Sequence, residues 1–441
     1  MGMHAVLLRT GRILLYEYVK GVVGSNAQVI DPVTGALYNV TIPFQRDVNC
    51  SSASVLPDGR ILVVGGSGYP GKAHQGTRNL TLFDPFSQKW SDGGLMNGAR
   101  WYPTSVQMPD GTTLILTGEP AKRVLTKTME SYNPATGVTT LLPESASSDA
   151  DLYSMMFVMP SGKVFRAGPD RNSGMFDPIS KSWAAVADMN FGRRYGGTAV
   201  LLPGLTKVLT LGGANTSLQL GSTVGATGTA SAEIINLSEP APAWRNVKPM
   251  RYARVNPNAV LLPDGTVLVV GGSRQHQSTD PVHQAELFDP ATGRWSRLAS
   301  QAADRSYHAT AMLLPDGRVM SAGSNFGNSP TTIEYFSPPY LLQGSRPTLA
   351  SAPESVTYGG SFQVSTPDAL DIAKVALMRP ASVTHGNNFE QRNVACSFTR
   401  ASGTLTVQAP SSRNVAPPGY YMLFLVNSKG VPATARFVRV A

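Results

Sequence analysis

Charge is what this chain has least of. Asp, Glu, Lys and Arg together make up 15% of 441 residues, where about a quarter is usual. With so little charge, 43 glycines, 33 prolines and many short β-branched runs, the composition predicts an all-β protein. Cysteine is nearly absent. Cys50 and Cys396 are the only two, which excludes a disulfide framework and leaves at most one bridge between them. No apolar run approaches the length needed to span a bilayer, so the chain reads as soluble. Net charge is +9, but the Lys and Arg are scattered, with no basic block alternating with aromatics; nucleic-acid binding is not expected. Met1-Gly2-Met3-His4 runs straight into Ala5-Val6-Leu7-Leu8, a strand rather than an export leader. That reads as a cytoplasmic chain or one whose leader has been trimmed. The length suits one large or two medium domains.

What is plentiful is a repeat. Leu313-Leu314-Pro315-Asp316-Gly317-Arg318-Val319 reads as two apolar strands meeting at Asp-Gly, a tight hairpin whose two central residues both take φ > 0. Related copies place turn glycines at 11, 59, 111, 162, 204, 265 and 317, roughly 40–60 residues apart, the spacing of propeller blades of the kelch type. Each copy is followed by a second element ending near Asp-Pro, such as Leu82-Phe83-Asp84-Pro85 or Leu287-Phe288-Asp289-Pro290. Proline cannot donate to a ladder and so closes a strand. Trp90, Trp183, Trp244 and Trp295 follow four of these elements and read as packing between blades. Four strands per repeat and seven repeats predict a seven-bladed kelch-like β-propeller over residues 1–344. The last repeat lacks an obvious fourth strand, which the N-terminus is in a position to supply. Residues 345–441, with alternating segments such as Ser361-Phe362-Gln363-Val364, predict a C-terminal immunoglobulin-like β-sandwich.

Counting nine residues back from each turn glycine gives Gly2, Cys50, Tyr102, Tyr153, Tyr195, Asn256 and His308. The fifth belongs to an irregular turn. Equivalent positions on innermost strands surround the axis at one height. Such a ring either fills the channel mouth with ordinary hydrogen bonds or holds a metal or radical. Tyr307 precedes His308, and adjacent strand residues point apart unless a bulge or strand end redirects one. His385 sits in a polar loop after the strand Val375–Met378 and matters only if that loop reaches the axis. His4, His74, His276 and His283 read as solvated.

Cys50, Ala99-Arg100-Trp101-Tyr102, Arg305-Ser306-Tyr307-His308, Phe336-Ser337-Pro338-Pro339-Tyr340-Leu341, Thr384-His385 with Gln391-Arg392, and Pro418-Gly419-Tyr420-Tyr421 together resemble the copper radical oxidases of the galactose oxidase and glyoxal oxidase type. The resemblance implies one copper ion held by Tyr102, Tyr307, His308 and His385. It also implies a Cys50–Tyr102 thioether that stores one oxidising equivalent as a radical. Tyr307 is implied as the acceptor of the substrate hydroxyl proton, and the C-terminal domain as the source of the His385 loop. Two imidazoles, a phenolate and an open position suit Cu(II). Alcohol oxidation removes two electrons while copper cycles through one, so a second local redox centre is required. Cys396 is then a buried small hydrophobe.

The chain departs from galactose oxidase where that enzyme stacks a Trp over the thioether, because Gly118-Glu119-Pro120-Ala121-Lys122 carries no aromatic. Ser148–Tyr153 lacks the sugar-binding Arg, and Leu152-Tyr153 with Arg194-Tyr195 looks more like the glyoxal oxidase branch. Tyr153 and Tyr195 are therefore expected in the substrate pocket. The expected activity is oxidation of a small aldehyde or primary alcohol by dioxygen, releasing hydrogen peroxide. The alternative is a non-catalytic kelch propeller that binds glycan or protein. The resemblance favours export.

Overall fold

The computed structural model describes residues 2–18, 25–43, 46–68, 75–216, 224–277, 280–324 and 331–441; His74 lies outside them. Seven consecutive antiparallel sheets are arranged as blades, and two further sheets form the sandwich. The blades begin with inner strands His4–Leu7, Ser52–Val55, Thr104–Gln107, Met155–Val158, Tyr195–Leu201, Asn258–Leu261 and Ala309–Leu313. Burial falls from hub to rim. Ile61–Val64 and Val267–Val270, the second strands of blades 2 and 6, are buried on both faces, whereas Arg294–Ser300 on the rim is mostly exposed. This gradient is why these second strands read as unbroken apolar runs and the rim strand as a polar one.

The last blade has three strands among the described residues, and the N-terminus does not complete it. Instead His4–Leu7 is the inner strand of a full four-stranded blade of its own. The ring closes side to side: Thr310 Oγ1 donates to the Gly2 carbonyl at 2.9 Å.

The hairpin turns also differ from the expected type. Leu56 N donates to Arg60 O at 2.9 Å and Gly59 N to Leu56 O at 2.9 Å, and only Gly59 has positive φ (90°) while Asp58 does not. This is a three-residue loop ending in a left-handed glycine. Asp58 serves through its side chain, accepting from Arg60 N at 2.9 Å. The tryptophans lie at the blade seams as expected. Trp90 Nε1 donates to Val40 O at 3.2 Å, Trp183 Nε1 to Ala146 O at 2.9 Å and Trp295 Nε1 to Lys248 O at 2.7 Å.

The sandwich pairs a five-stranded sheet with a three-stranded one. Cys396 is buried there and free, as is Cys50 at the hub, so the two form no bridge. One hairpin of this domain leaves it altogether. Ser382–Thr384 pairs antiparallel with His4–Val6, making the C-terminal finger the innermost part of blade 1. Among the described residues no helix is long and apolar enough to cross a membrane.

Candidate metal centre

The hub is set by backbone geometry. Gly2, Cys50, Tyr102, Tyr153, Asn256 and His308 all have positive φ, between 49° and 104°. Non-glycine residues rarely adopt this region, and clusters of them mark functional sites. In blade 5 the positive φ falls on Gly196 (60°) rather than Tyr195. The reason is the irregular turn. The amide that closes it belongs to Leu205, bonding to Leu202 O at 3.0 Å, where the other turns use glycine, and nine residues before Leu205 is Gly196. Ring members bond head to tail, Tyr102 N to Cys50 O at 2.9 Å, Tyr153 N to Tyr102 O at 3.2 Å and Asn256 N to Gly196 O at 2.6 Å.

Buried arginines just before the ring residues hold this geometry. Arg100, Arg194 and Arg254 pair with Glu130, Glu233 and Glu286 at 2.7, 2.6 and 2.8 Å, with both partners almost fully buried. Arg305 meets the less buried Glu334 at 3.4 Å. Each guanidinium also donates to a backbone carbonyl of the sheet, as Arg100 does to Thr117 O at 2.7 Å. Removing one partner would strand a buried charge, so such pairs enforce one geometry more than they add stability. Sequence reasoning missed them. The signal was an Arg one to three residues before the ring position and a Glu on the third strand of the same repeat.

The finger reaches the hub through a set of hydrogen bonds. Arg379 and Glu390 form a buried ion pair; Arg379 donates to Val55 O at 3.0 Å and Glu390 accepts from Val55 N at 3.0 Å. Gln391 accepts from Leu261 N at 2.8 Å, Ser382 Oγ donates to Ala53 O at 2.7 Å, and Arg392 bonds to Val158 O. Blades 2, 4 and 6 are thereby stitched to one loop. At its tip, Thr384 Oγ1 donates to Met3 O at 2.8 Å, so it accepts from His385 Nδ1 at 2.6 Å. That fixes the tautomer: Nε2 keeps its lone pair.

The candidate residues converge. The His308 and His385 ring centroids are 4.3 Å apart, Tyr102 and His385 4.7 Å, and Tyr307 and His385 5.3 Å. The left-handed backbone of His308 brings Tyr307 to its own side, with the two rings stacked at 3.8 Å. The hydroxyls of Tyr102 and Tyr307 hydrogen-bond to each other. Cys50 Sγ lies 4.0 Å from His385 Nε2, and the donor atoms of Cys50, His308 and His385 all lie within 4.8 Å of one another. Both nitrogens of His308 are buried without a hydrogen-bond partner. Buried polar atoms are normally satisfied, and two imidazoles with two phenols form a donor set that fits copper. Burial holds His308 and His385 far below the usual imidazole range and pushes Tyr102, Tyr153 and Tyr307 up. Without a cation the site is therefore neutral. A bound cation would reverse that cost for the phenols.

Around this core lies a narrow cavity of about 30 Å³, lined by Tyr102, Tyr153, Tyr195, Asn256, Tyr307 and His385 among others. Tyr153 and Tyr195 thus sit where the sequence expected them. A larger groove of about 780 Å³ between blades 5 and 6 carries none of the candidate metal ligands. No aromatic stands at 118–122, but Trp101, next to Tyr102 in sequence, packs on its ring at 3.9 Å with the two planes tilted by 54°, and is itself buried. Two histidines read as solvated are not. His4 is buried on Tyr16, and burial lowers it to about 3. His276 is buried against Tyr307 (4.8 Å) and Tyr195 (5.2 Å), with Nδ1 2.7 Å from Asn256 Oδ1 and the ring lowered to about 4 by burial. His283 is partly exposed and pairs with Asp304 at 2.7 Å.

Comparison with known proteins supports the same family. Residues 25–340 match the family model described as Glyoxal oxidase N-terminus, and residues 346–440 the Galactose oxidase-like, Early set domain. A galactose oxidase from Gibberella zeae is 30% identical over 93% of this chain and 63% of its own length. Aldehyde oxidase GLOX from Vitis pseudoreticulata is 30% identical over 89% of this chain and 82% of its own. Among solved structures, a fungal alcohol oxidase of the AA5 family in complex with copper superposes with a TM-score of 0.86 at 25% identity, covering 99% of this chain and 96% of that one. This chain thus spans under two thirds of the length of the galactose oxidase relative.

Proposed function

Because the chain belongs to the glyoxal oxidase family, we propose that it is a mononuclear copper radical oxidase acting on a small aldehyde or primary alcohol. The observation that carries this reading is His308, whose two ring nitrogens are both buried and unpartnered at the point where Tyr102, Tyr307 and the finger's His385 meet. In this reading His308, His385, Tyr102 and Tyr307 hold the ion, while Cys50 is joined to Tyr102 by a thioether. Copper supplies a one-electron redox couple and a positive charge that makes phenol and alcohol more acidic.

The chain's own residues do the rest. Tyr307 takes the substrate's hydroxyl proton, and its contact with Tyr102 ties the two phenols together. The Tyr102 ring, enriched by sulfur, is the easiest group here to oxidise and supplies the second electron-accepting centre. Trp101 and Tyr153, at 3.9 and 4.3 Å, pack against that ring and keep water from it. The net change is RCH₂OH + O₂ → RCHO + H₂O₂, and for an aldehyde RCHO + H₂O + O₂ → RCOOH + H₂O₂. The lack of an Arg in Ser148–Tyr153, where galactose oxidase binds its sugar, supports a small substrate over galactose. The reading includes a propeller over 1–344, a sandwich over 345–441 that lends His385, and an exported enzyme.

Two measurements test it. Copper loading in air should lower the intact mass by two hydrogens and protect Cys50 from alkylation. A peroxide-coupled screen of methylglyoxal, glycolaldehyde, benzyl alcohol and galactose should then favour the small aldehydes. An unshifted mass with Cys50 still alkylatable returns the chain to a binding propeller.

A further inference from the structure

The chemistry above makes no use of His4, yet this side chain is built into the centre. It opens the inner strand of blade 1 and is 2% exposed. Its ring lies flat on Tyr16, with centroids 4.4 Å apart and an interplanar angle of 7°. Its Nε2 accepts the backbone N–H of Cys50 at 3.1 Å. An atom that accepts an amide hydrogen carries no proton of its own, so the imidazole is the Nδ1–H tautomer. Tyr16 and Tyr153 secure the next residue, through Ser51 Oγ at 3.2 Å and Ser51 O at 2.9 Å.

Two features of Cys50 give this contact weight. Its φ of 56° is a conformation that side-chain-bearing residues rarely hold unaided. Its amide is buried with the residue, so loss of the acceptor would leave an orphan donor in the turn. The backbone of His4 is also paired in register with Thr384, and its ring stands 6.0 Å from that of His385. One residue thus touches the turn that presents the sulfur and is paired with the strand that presents the imidazole.

We propose that His4 is a positioning residue for the cross-link between Cys50 and Tyr102, holding the Cys50 turn so that the sulfur stays beside Tyr102 and in register with His385. The inference rests on the oxidase reading. In the step concerned, the Cys50 S–H and a Tyr102 ring C–H are lost and an S–C bond forms. The two protons and two electrons pass to dioxygen, giving hydrogen peroxide.

The test follows the loss of two hydrogens by intact mass after copper is added in air, for wild type, His4→Phe and His4→Gln, with melting temperature and copper content measured on each. His4→Phe keeps a ring on Tyr16 but has no acceptor; it should link roughly tenfold more slowly, the scale of one lost buried hydrogen bond. His4→Gln, whose amide oxygen can accept from Cys50 N–H, should recover most of the rate. A lower melting temperature in His4→Phe with linking at the wild-type rate would mean an ordinary structural role and overturn the proposal. If wild type itself never loses the two hydrogens, the oxidase reading fails first. Should His4→Phe not fold, histidine-selective ¹⁵N spectra of the copper-free wild type decide: a proton on Nε2 of His4 refutes the inference, and a proton on Nδ1 alone supports it.

Discussion

The ring and the finger bring candidate site residues to the same point by opposite means. Cys50, Tyr102 and His308 are delivered by the repeat, each on a left-handed residue at the start of an inner strand, with a buried Arg100–Glu130 pair before Tyr102 and a half-buried Arg305–Glu334 pair before His308. His385 comes from outside the repeat, on a hairpin held by strand pairing to His4–Val6, by a buried ion pair and by side-chain hydrogen bonds to blades 2, 4 and 6. A ring position is over-determined by backbone, so its side chain is free to change chemistry from blade to blade: sulfur, phenol, amide, imidazole. The finger has a backbone ladder to one blade only and reaches the others through side chains. Its function is tied to a few side chains, and damage there should separate folding and metal binding from the radical chemistry.

The sharpest contrast comes from replacing the ring's chemistry while keeping its backbone. Tyr102→Phe and Cys50→Ala should both fold and bring peroxide production down to background or close to it; wild-type rates in Tyr102→Phe would refute the radical role. Next in size is Glu390→Gln in the finger. It strands Arg379 in the interior, at a cost of about 3–5 kcal/mol, so the melting temperature should drop by several degrees before any change at the copper is asked about. A milder break is Thr384→Val, which removes the partner of His385 Nδ1. Loss of such an outer contact typically weakens metal affinity about 10–100-fold. A copper titration should detect this, alongside a loss of stability from the buried Met3 carbonyl and His385 N–H left without their partner.

The smallest effect concerns pH in the copper-free protein. Burial lowers His4 to about 3 and His276 to about 4, and holds His308 and His385 well below the usual range. In the unfolded chain these groups titrate near 6.5. The unfolded state therefore binds more protons below that pH. Their contribution to stability is full above about pH 7 and is lost as pH falls from about 6.5 toward the folded values. Melting temperature against pH should decline on the acid side, and His276→Phe should flatten the decline if it folds. A flat wild-type curve from pH 7 to 5 would contradict the assignment of neutral imidazoles.

Much of this was legible because the repeat is periodic. The turn glycines locate the inner strands, and a fixed offset from them locates Cys50, Tyr102 and His308. The same ruler slipped by one in blade 5, where Leu205 closes the turn and the ring position moves to Gly196. The Asp-Gly turns were found for a partly mistaken reason, since only the glycine is left-handed. His4 and His276 were misjudged because a lone histidine carries no periodic signal; their burial depends on neighbours far away in the chain. Trp101 was overlooked for a related reason: a strand reading points it away from Tyr102, and the left-handed Tyr102 folds it back.

Local and repeated information in the sequence was therefore enough to decide the all-β class, the seven blades and, blade 5 apart, which residues ring the axis, because strand period and turn chemistry act over a few residues. Only the tertiary structure decided how the C-terminal finger enters the hub, which tautomer His385 presents, and that His4 grips the Cys50 turn. Each of these joins residues more than 40 positions apart or depends on such a contact, and is set by burial and hydrogen-bond satisfaction, which no local pattern encodes.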